Sequence, residues 1–318
     1  MKRQIYVKYY APVMLTALVL LTGCVSTAGY KKPISDFQNA SSVVTDSARI
    51  YVNQLNKTER DAYIDRQVNT AKPILLTEIE KKQVFSPKEI QIRLDALSEL
   101  SKYGVLLGKL ANSDAPEKIT NSAEDLAASL EKLVTDTGGT LSPSINQAFS
   151  GAIGPATQLM GEVARLVIEK KIQDALNKAI LSGEEPVVKL IHTIRNDLIA
   201  AYERKRNAIS ANRVVYLDGY EHERRRITRN TERLRKRGAE IKSVLDMWES
   251  FPASNPSKGL DAMATAHTAL VDYAKSPKNA ADLTAFAAQM DAFVSRAKRV
   301  GKAVQQLQAF KQQLRTNR

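Results

Sequence analysis

The sequence has a single cysteine, Cys24, and few aromatics, 6% of 318 residues with one tryptophan. A lone thiol cannot close a disulfide within the chain and removes the commonest zinc companions. Its three histidines, His192, His222 and His267, fall in no His-Glu-x-x-His or comparable ligand spacing. His267 occupies an apolar seam position and reads as a core histidine. His222 stands between two glutamates and reads as solvated. No stretch alternates polar and apolar residues as a half-buried strand does. There is no glycine-rich phosphate loop and no Gly-x-Ser-x-Gly. Ser-x-x-Lys occurs at Ser129–Lys132 and Ser295–Lys298, but without the Lys-Thr-Gly that accompanies it in serine enzymes. The N-terminal apolar run, Ala11 to Leu21, falls short of the about 20 residues that a membrane-spanning helix needs. These gaps leave no catalytic residue and no metal site to nominate.

That short run is informative in its setting. Lys2, Arg3 and Lys8 precede it, and Leu21-Thr22-Gly23-Cys24 follows. The first 25 or so residues resemble the signal peptide and lipobox of bacterial lipoproteins. The resemblance implies export, removal of residues 1–23, a diacylglyceryl thioether on Cys24 and acylation of its amine. Those covalent lipids would be the only cofactor. With Val25 rather than aspartate in second position, the resemblance further implies the outer rather than the inner membrane, facing the periplasm. Residues 24–35 then read as the lipidated cysteine and a flexible tether, reaching at most about 35–40 Å. Residues 36–318 read as one elongated domain.

Composition sets the fold class. Alanine, leucine, lysine, arginine, glutamine and glutamate dominate, the usage of helical proteins. Helical periods run almost without pause, so the expectation is all-α, an elongated antiparallel bundle with coiled-coil-like seams. Residues 36–55 and 58–72 read as two amphipathic helices, the second ended or kinked at Pro73. Ser86-Pro87-Lys88-Glu89 is a capping box opening a helix. On that helix Gly104 and Gly108 would let a neighbour approach closely. Asp114-Ala115-Pro116 starts another helix, which Gly138-Gly139 ends. Residues 142–161 carry several glycines and Pro155, and read as a bend or tip. Leu260, Met263, His267, Leu270 and Ala274 step by 3 and 4, and so do Leu283 through Leu307 beyond Ser276-Pro277. From Val187 through Ile227 to Trp248 the apolar positions keep one phase, which predicts one very long helix, about 186–250.

The formal charge is +13, of which residues 1–23 contribute three, leaving +10 for the rest. Such a balance calls for anionic partners, and export argues against nucleic acid. The charge concentrates on the long stretch. Arg225, Arg226, Arg229, Arg233, Lys236 and Arg237 project broadly opposite the apolar seam, as a candidate surface for phosphate or carboxylate groups. The expected function is a lipid-anchored periplasmic scaffold or adaptor, non-enzymatic, binding another envelope macromolecule, either a protein or an anionic polymer. An inhibitor or immunity protein against a toxin or wall-active enzyme is the alternative. Oligomeric state is left open by the sequence.

Overall fold

A computed structural model describes residues 28–228 and 230–316. Among them every regular element is helical: α1 (Ala28–Asn69), α2 (Leu76–Lys81), α3 (Pro87–Asn112), α4 (Pro116–Thr137), α5 (Pro143–Ile168), α6 (Ile172–Leu181), α7 (Glu184–Arg224), α8 (Thr231–Ser250), α9 (Pro256–Lys275) and α10 (Ala280–Thr316). A 3-10 turn at Phe251–Ser254 joins α8 to α9. The all-α bundle read from composition is the architecture observed. No helix among the described residues is long and apolar enough to cross a membrane.

The spine is α1, with 42 residues and a length of about 60 Å at 1.5 Å per residue. Its beginning meets the end of α9, where the Tyr30 and Tyr273 rings pack edge to face at 5.0 Å. At that same end Lys275 bonds Glu184 at the start of α7 (2.8 Å). The far end of α1 meets the later part of α7, where Asn69 donates to the Val215 carbonyl (3.4 Å). Helices α1, α7 and α10 therefore run one way, while α3, α8 and α9 return. The larger core fills the half around the start of α1, with Ile34, Phe37, Leu97, Leu107, Phe149 and Leu270 buried. A second, smaller core lies toward the far end, built from Tyr51, Leu55, Tyr202, Ile209, Tyr216, Val244, Met247 and Leu307. Near the junction, Arg93 of α3 pairs with Asp197 of α7 (2.5 Å), both nearly buried, and lies over the Phe85 ring.

Several local readings are met in detail. Ser86 accepts from the Glu89 N–H (3.3 Å), and Glu89 accepts in return from Ser86 (2.8 Å). Pro116 and Pro143 each open a helix, and α4 stops at Thr137, before Gly138-Gly139. A Cβ at Gly104 would lie 3.5 Å from the Gln38 backbone, so α3 lies close against α1 there. The α9 and α10 seams are buried at Met263, His267, Leu270, Phe286, Met290, Phe293 and Ala297, and the two helices pack together.

Other readings are corrected. The tether extends less far than expected, because residues 28–35 are already helical, with Tyr30 and Ile34 fully buried. Packing of those two side chains outweighs the helix bond lost at Pro33. Residues 36–55 and 58–72 do not form separate helices. The Leu55, Thr58 and Ala62 positions keep one buried stripe, and Asn56 turns its amide to the 84–85 loop, accepting from Val84 (2.8 Å) and Phe85 (3.1 Å). Residues 142–161 form no tip. Phe149, Ala152, Ile153, Ala156, Met160 and Val163 make a buried stripe along α5, and packing against α4 overrides the glycines and Pro155.

The largest correction concerns 186–250. It is not one helix of about 95 Å but a hairpin, α7 and α8, reversing between Arg224 and Thr231. Ile227, read as part of the seam, is fully exposed at that turn. On α7 the stripe passes from the larger core, at Val187, Ile191, Ile194 and Leu198, into the smaller one at Tyr202, Ile209 and Tyr216. On α8 Val244 and Met247 are buried, with Ile241 and Trp248 against them, while Leu245 is exposed. Phase alone cannot register a reversal in direction.

Candidate binding cleft

The hairpin turn gathers the basic residues that the sequence spreads along one helix. Asn230 caps α8, its side chain accepting from the Arg233 N–H (3.0 Å). Folding α8 back lays Arg233, Lys236 and Arg237 beside Arg226 and the end of α7. These four line a groove of about 510 Å³ together with Val68, Asn69, Asp65, Tyr216, Glu223 and Glu240. Arg225 is not in the groove wall; it lies at the outer end of α7, 3.7 Å from Glu221. Arg229, the remaining residue of the predicted surface, lies outside the described residues, as does Cys24.

Two glutamates organise the groove. Glu223, 8% exposed, accepts from Arg226 (3.2 Å) and has Arg233 at 3.8 Å. Glu240, 2% exposed, accepts from Arg237 (2.9 Å). Removing Arg237 would strand the buried Glu240 carboxylate, and removing Arg226 would leave Glu223, among the described residues, only Arg233 at 3.8 Å, so these pairs hold the turn together besides carrying charge. The groove still has one more cation than anion in its wall, four against Asp65, Glu223 and Glu240. Beside it, an Arg224 hydrogen bond lowers the Glu221 pKa.

Behind the groove lies a smaller cavity of about 220 Å³ between α1, α7, α8 and α10. Ile64, Asp65 and Tyr216 belong to both walls, so the two spaces adjoin across these side chains. The inner wall mixes Ile209, Met247 and Leu307 with Thr58, Asp61, Lys205, Asn212 and Lys311. Tyr216 donates to Asp65 (3.1 Å), and Lys311 donates to Thr58 (2.9 Å) and stands 4.0 Å from Asp61. Lys205 is 5% exposed, its ammonium 4.2 Å from the centre of the Tyr51 ring. Burial, helped by the nearby Lys311, pushes its pKa down to about 7. The Asn212 side-chain oxygen is buried without a hydrogen-bond partner.

Sequence reasoning passed over this inner layer, although a signal is there. Tyr202, Lys205, Ile209, Asn212 and Tyr216 step by 3 and 4, which puts a lysine and an asparagine on seam positions of α7. Tyr51, Leu55, Thr58, Ala62, Asp65 and Asn69 do the same on α1. Two seams turn polar at the same level of the bundle.

The remaining polar candidates stand apart from the cleft. His267 is fully buried, with Nε2 2.8 Å from the Tyr103 hydroxyl, and burial lowers its pKa to about 4. Exposed His222 lies in the last turn of α7. Ser129 pairs not with Lys132 but with α3, donating to Glu99 (2.6 Å) and accepting from Lys102 (2.9 Å). Among the described residues no group of three or more His, Cys, Asp or Glu could hold a metal ion. Comparisons with protein-family models, with curated proteins and with solved structures find no match to the chain, so its reading rests on the geometry of this cleft.

Proposed function

We propose that the protein is a lipid-anchored helical adaptor on the periplasmic face of the outer membrane, non-enzymatic, that binds an anionic envelope macromolecule at the basic groove. The observation that carries this reading is the gathering of Arg226, Arg233, Lys236 and Arg237 in one groove at the far end of α1. Cys24 precedes the first residue of α1 by only four positions. The groove therefore stands about 60 Å along α1 from the anchored end. Such a separation favours a partner out in the periplasm over the head groups of the anchoring membrane. An arginine carries five N–H donors, and one carboxylate does not exhaust them, so Arg226 and Arg233 can take phosphate or carboxylate oxygens while still paired to Glu223.

The test uses Arg233, whose contact with Glu223 at 3.8 Å is beyond hydrogen-bond distance, and Lys236 of the same wall. Arg233→Ala combined with Lys236→Ala should weaken capture of solubilised envelope material, as raised salt does for the wild type. Capture unchanged by both would remove the groove from the account. Palmitate labelling tests the anchor separately, since Cys24→Ala should abolish it.

A further inference from the structure

The inner cavity is expensive to maintain. A bundle could fill its seam with leucine at Lys205 and Asn212, and burying an ammonium or an unpaired amide costs free energy that folding does not return. The lysine is the sharper case. Its ammonium lies against the Tyr51 ring, and among the described residues no carboxylate pairs with it. The two acids in the same wall are engaged elsewhere. Asp65 accepts from Tyr216 (3.1 Å), and Asp61 accepts from Arg60 (3.1 Å) with Lys311 at 4.0 Å. A buried cation without its counter-ion, an amide oxygen without a donor and an open cavity meet at one place.

We infer that this cavity is a binding site for the carboxylate of a small organic acid, with Lys205 as its counter-ion and the Asn212 amide as its hydrogen-bond partner. The orphaned Asn212 oxygen cannot itself bond a carboxylate, since both are acceptors. Turned over, the amide gives up no hydrogen bond at that oxygen and presents its N–H groups to the ligand. Ile64, Ile209, Met247 and Leu307 supply apolar wall for the body of the ligand. The volume, about 220 Å³, is below the roughly 300–1,000 Å³ of drug-sized sites, which limits the ligand to a small acid and excludes a polymer or a diacyl lipid. The basic groove shares Ile64, Asp65 and Tyr216 with the cavity and raises the local concentration of anions beside it.

This goes beyond the groove as a docking surface and does not depend on it. The titratable groups around Lys205 are Tyr51, Asp61 and Asp65 from α1, Tyr216 on its own helix and Lys311 from α10, while α8 contributes Met247. With Lys205 holding its proton weakly above pH 7, a bound anion should draw a proton in with it.

The experiment is calorimetric titration of the full-length, detergent-solubilised lipoprotein with acetate, hexanoate, benzoate and glutarate, each beside its neutral amide. At least one acid should saturate a single site, and its amide should bind about tenfold more weakly or worse. At pH 8, titrations in buffers of different ionisation enthalpy should show proton uptake on binding. Lys205→Met should weaken the acid about tenfold or more and abolish the uptake, while melting no lower than wild type, which excludes misfolding as the cause. Failure of all four acids to saturate would overturn the inference. So would equal binding by acid and amide, or undiminished binding by Lys205→Met. Because Lys205 lies inside the cavity, Lys205→Met should leave salt-sensitive capture at the groove intact, so the two readings fail separately.

Discussion

His267 stands in the α9 seam near the ring of Phe37, with its Nε2 against the Tyr103 hydroxyl. Tyr103 also contacts the Ala179 carbonyl (3.1 Å), to which its single proton can go. Nε2 is then the donor to Tyr103, and Nδ1 is left as an unpartnered lone pair in the core. Protonation would place a charge there, which is why burial holds the pKa near 4 against 6.5 in the unfolded chain. Between those values the unfolded chain binds more protons, so stability falls as pH drops from about 6.5 to about 4 and levels off below. The loss is on the order of 3 kcal/mol. Urea unfolding at pH 7 and pH 4.5 measures it, and His267→Gln should flatten that slope. An equal slope in both proteins would mean that other groups control acid sensitivity. Lys205 gives a second case of the same sign at higher pH. Its folded pKa, about 7, lies below its unfolded value near 10.5, so stability should rise as pH climbs through that window. Lys205→Met should make the unliganded protein more stable at pH 7 by roughly 1–4 kcal/mol and remove the rise. The two residues were not equally visible in the sequence. His267 was legible because its seam keeps a strict 3,4 rhythm among apolar neighbours. Lys205 was lost in a stretch of 13 basic residues between Glu203 and Lys242, where charge counting hid a lysine on the buried face.

Among the elements, the helix starts and stops carried by local chemistry were readable, and those imposed by neighbours were not. The Ser86–Glu89 box and the prolines at 116 and 143 act within one turn of themselves. The continuity of α5 through Gly151, Gly154 and Pro155 is decided instead by α4, whose Leu126, Leu130 and Leu133 are buried in the same core. The α7–α8 reversal combines both cases. Asn230, a residue type suited to an N-cap, was not read as one; an apolar stripe records which face is buried and not which way the chain runs. The cap matters to the groove, because it starts α8 where Arg233, Lys236 and Arg237 come beside Arg226. Asn230→Ala should cost about 1 kcal/mol and speed hydrogen exchange in the first turns of α8 more than in α9 or α10. Uniform exchange across all three helices would show that packing at Val244 and Met247 alone fixes the hairpin.

At the scale of the molecule, the two cores divide the work along the axis of α1. The larger one, near Ala28, is apolar and closed over α3, α4, α5, α6 and α9. The smaller one is flanked by the polar cavity and the basic groove, so both proposed binding sites lie in the half that departs from a leucine seam. If acyl groups hold the chain at Cys24, this asymmetry acquires a direction, with the closed half toward the membrane and the cleft away from it. Lipidation would consume the only native thiol, so a single introduced cysteine can report distance without interference. Asp36→Cys lies early in α1, and Arg235→Cys lies on α8 at the groove end, in an exposed position. With a donor dye on either site and acceptor lipid in reconstituted vesicles, Asp36→Cys should transfer strongly. A donor at Arg235→Cys, about 50 Å farther along the bundle if α1 stands upright, should transfer weakly. Equal transfer from both would mean that α1 lies along the surface, which would bring the arginines to the head groups and make the anchoring membrane itself the anionic partner. Strong transfer from position 36 alone would leave the groove facing the periplasm, where only a partner that comes to it can be bound.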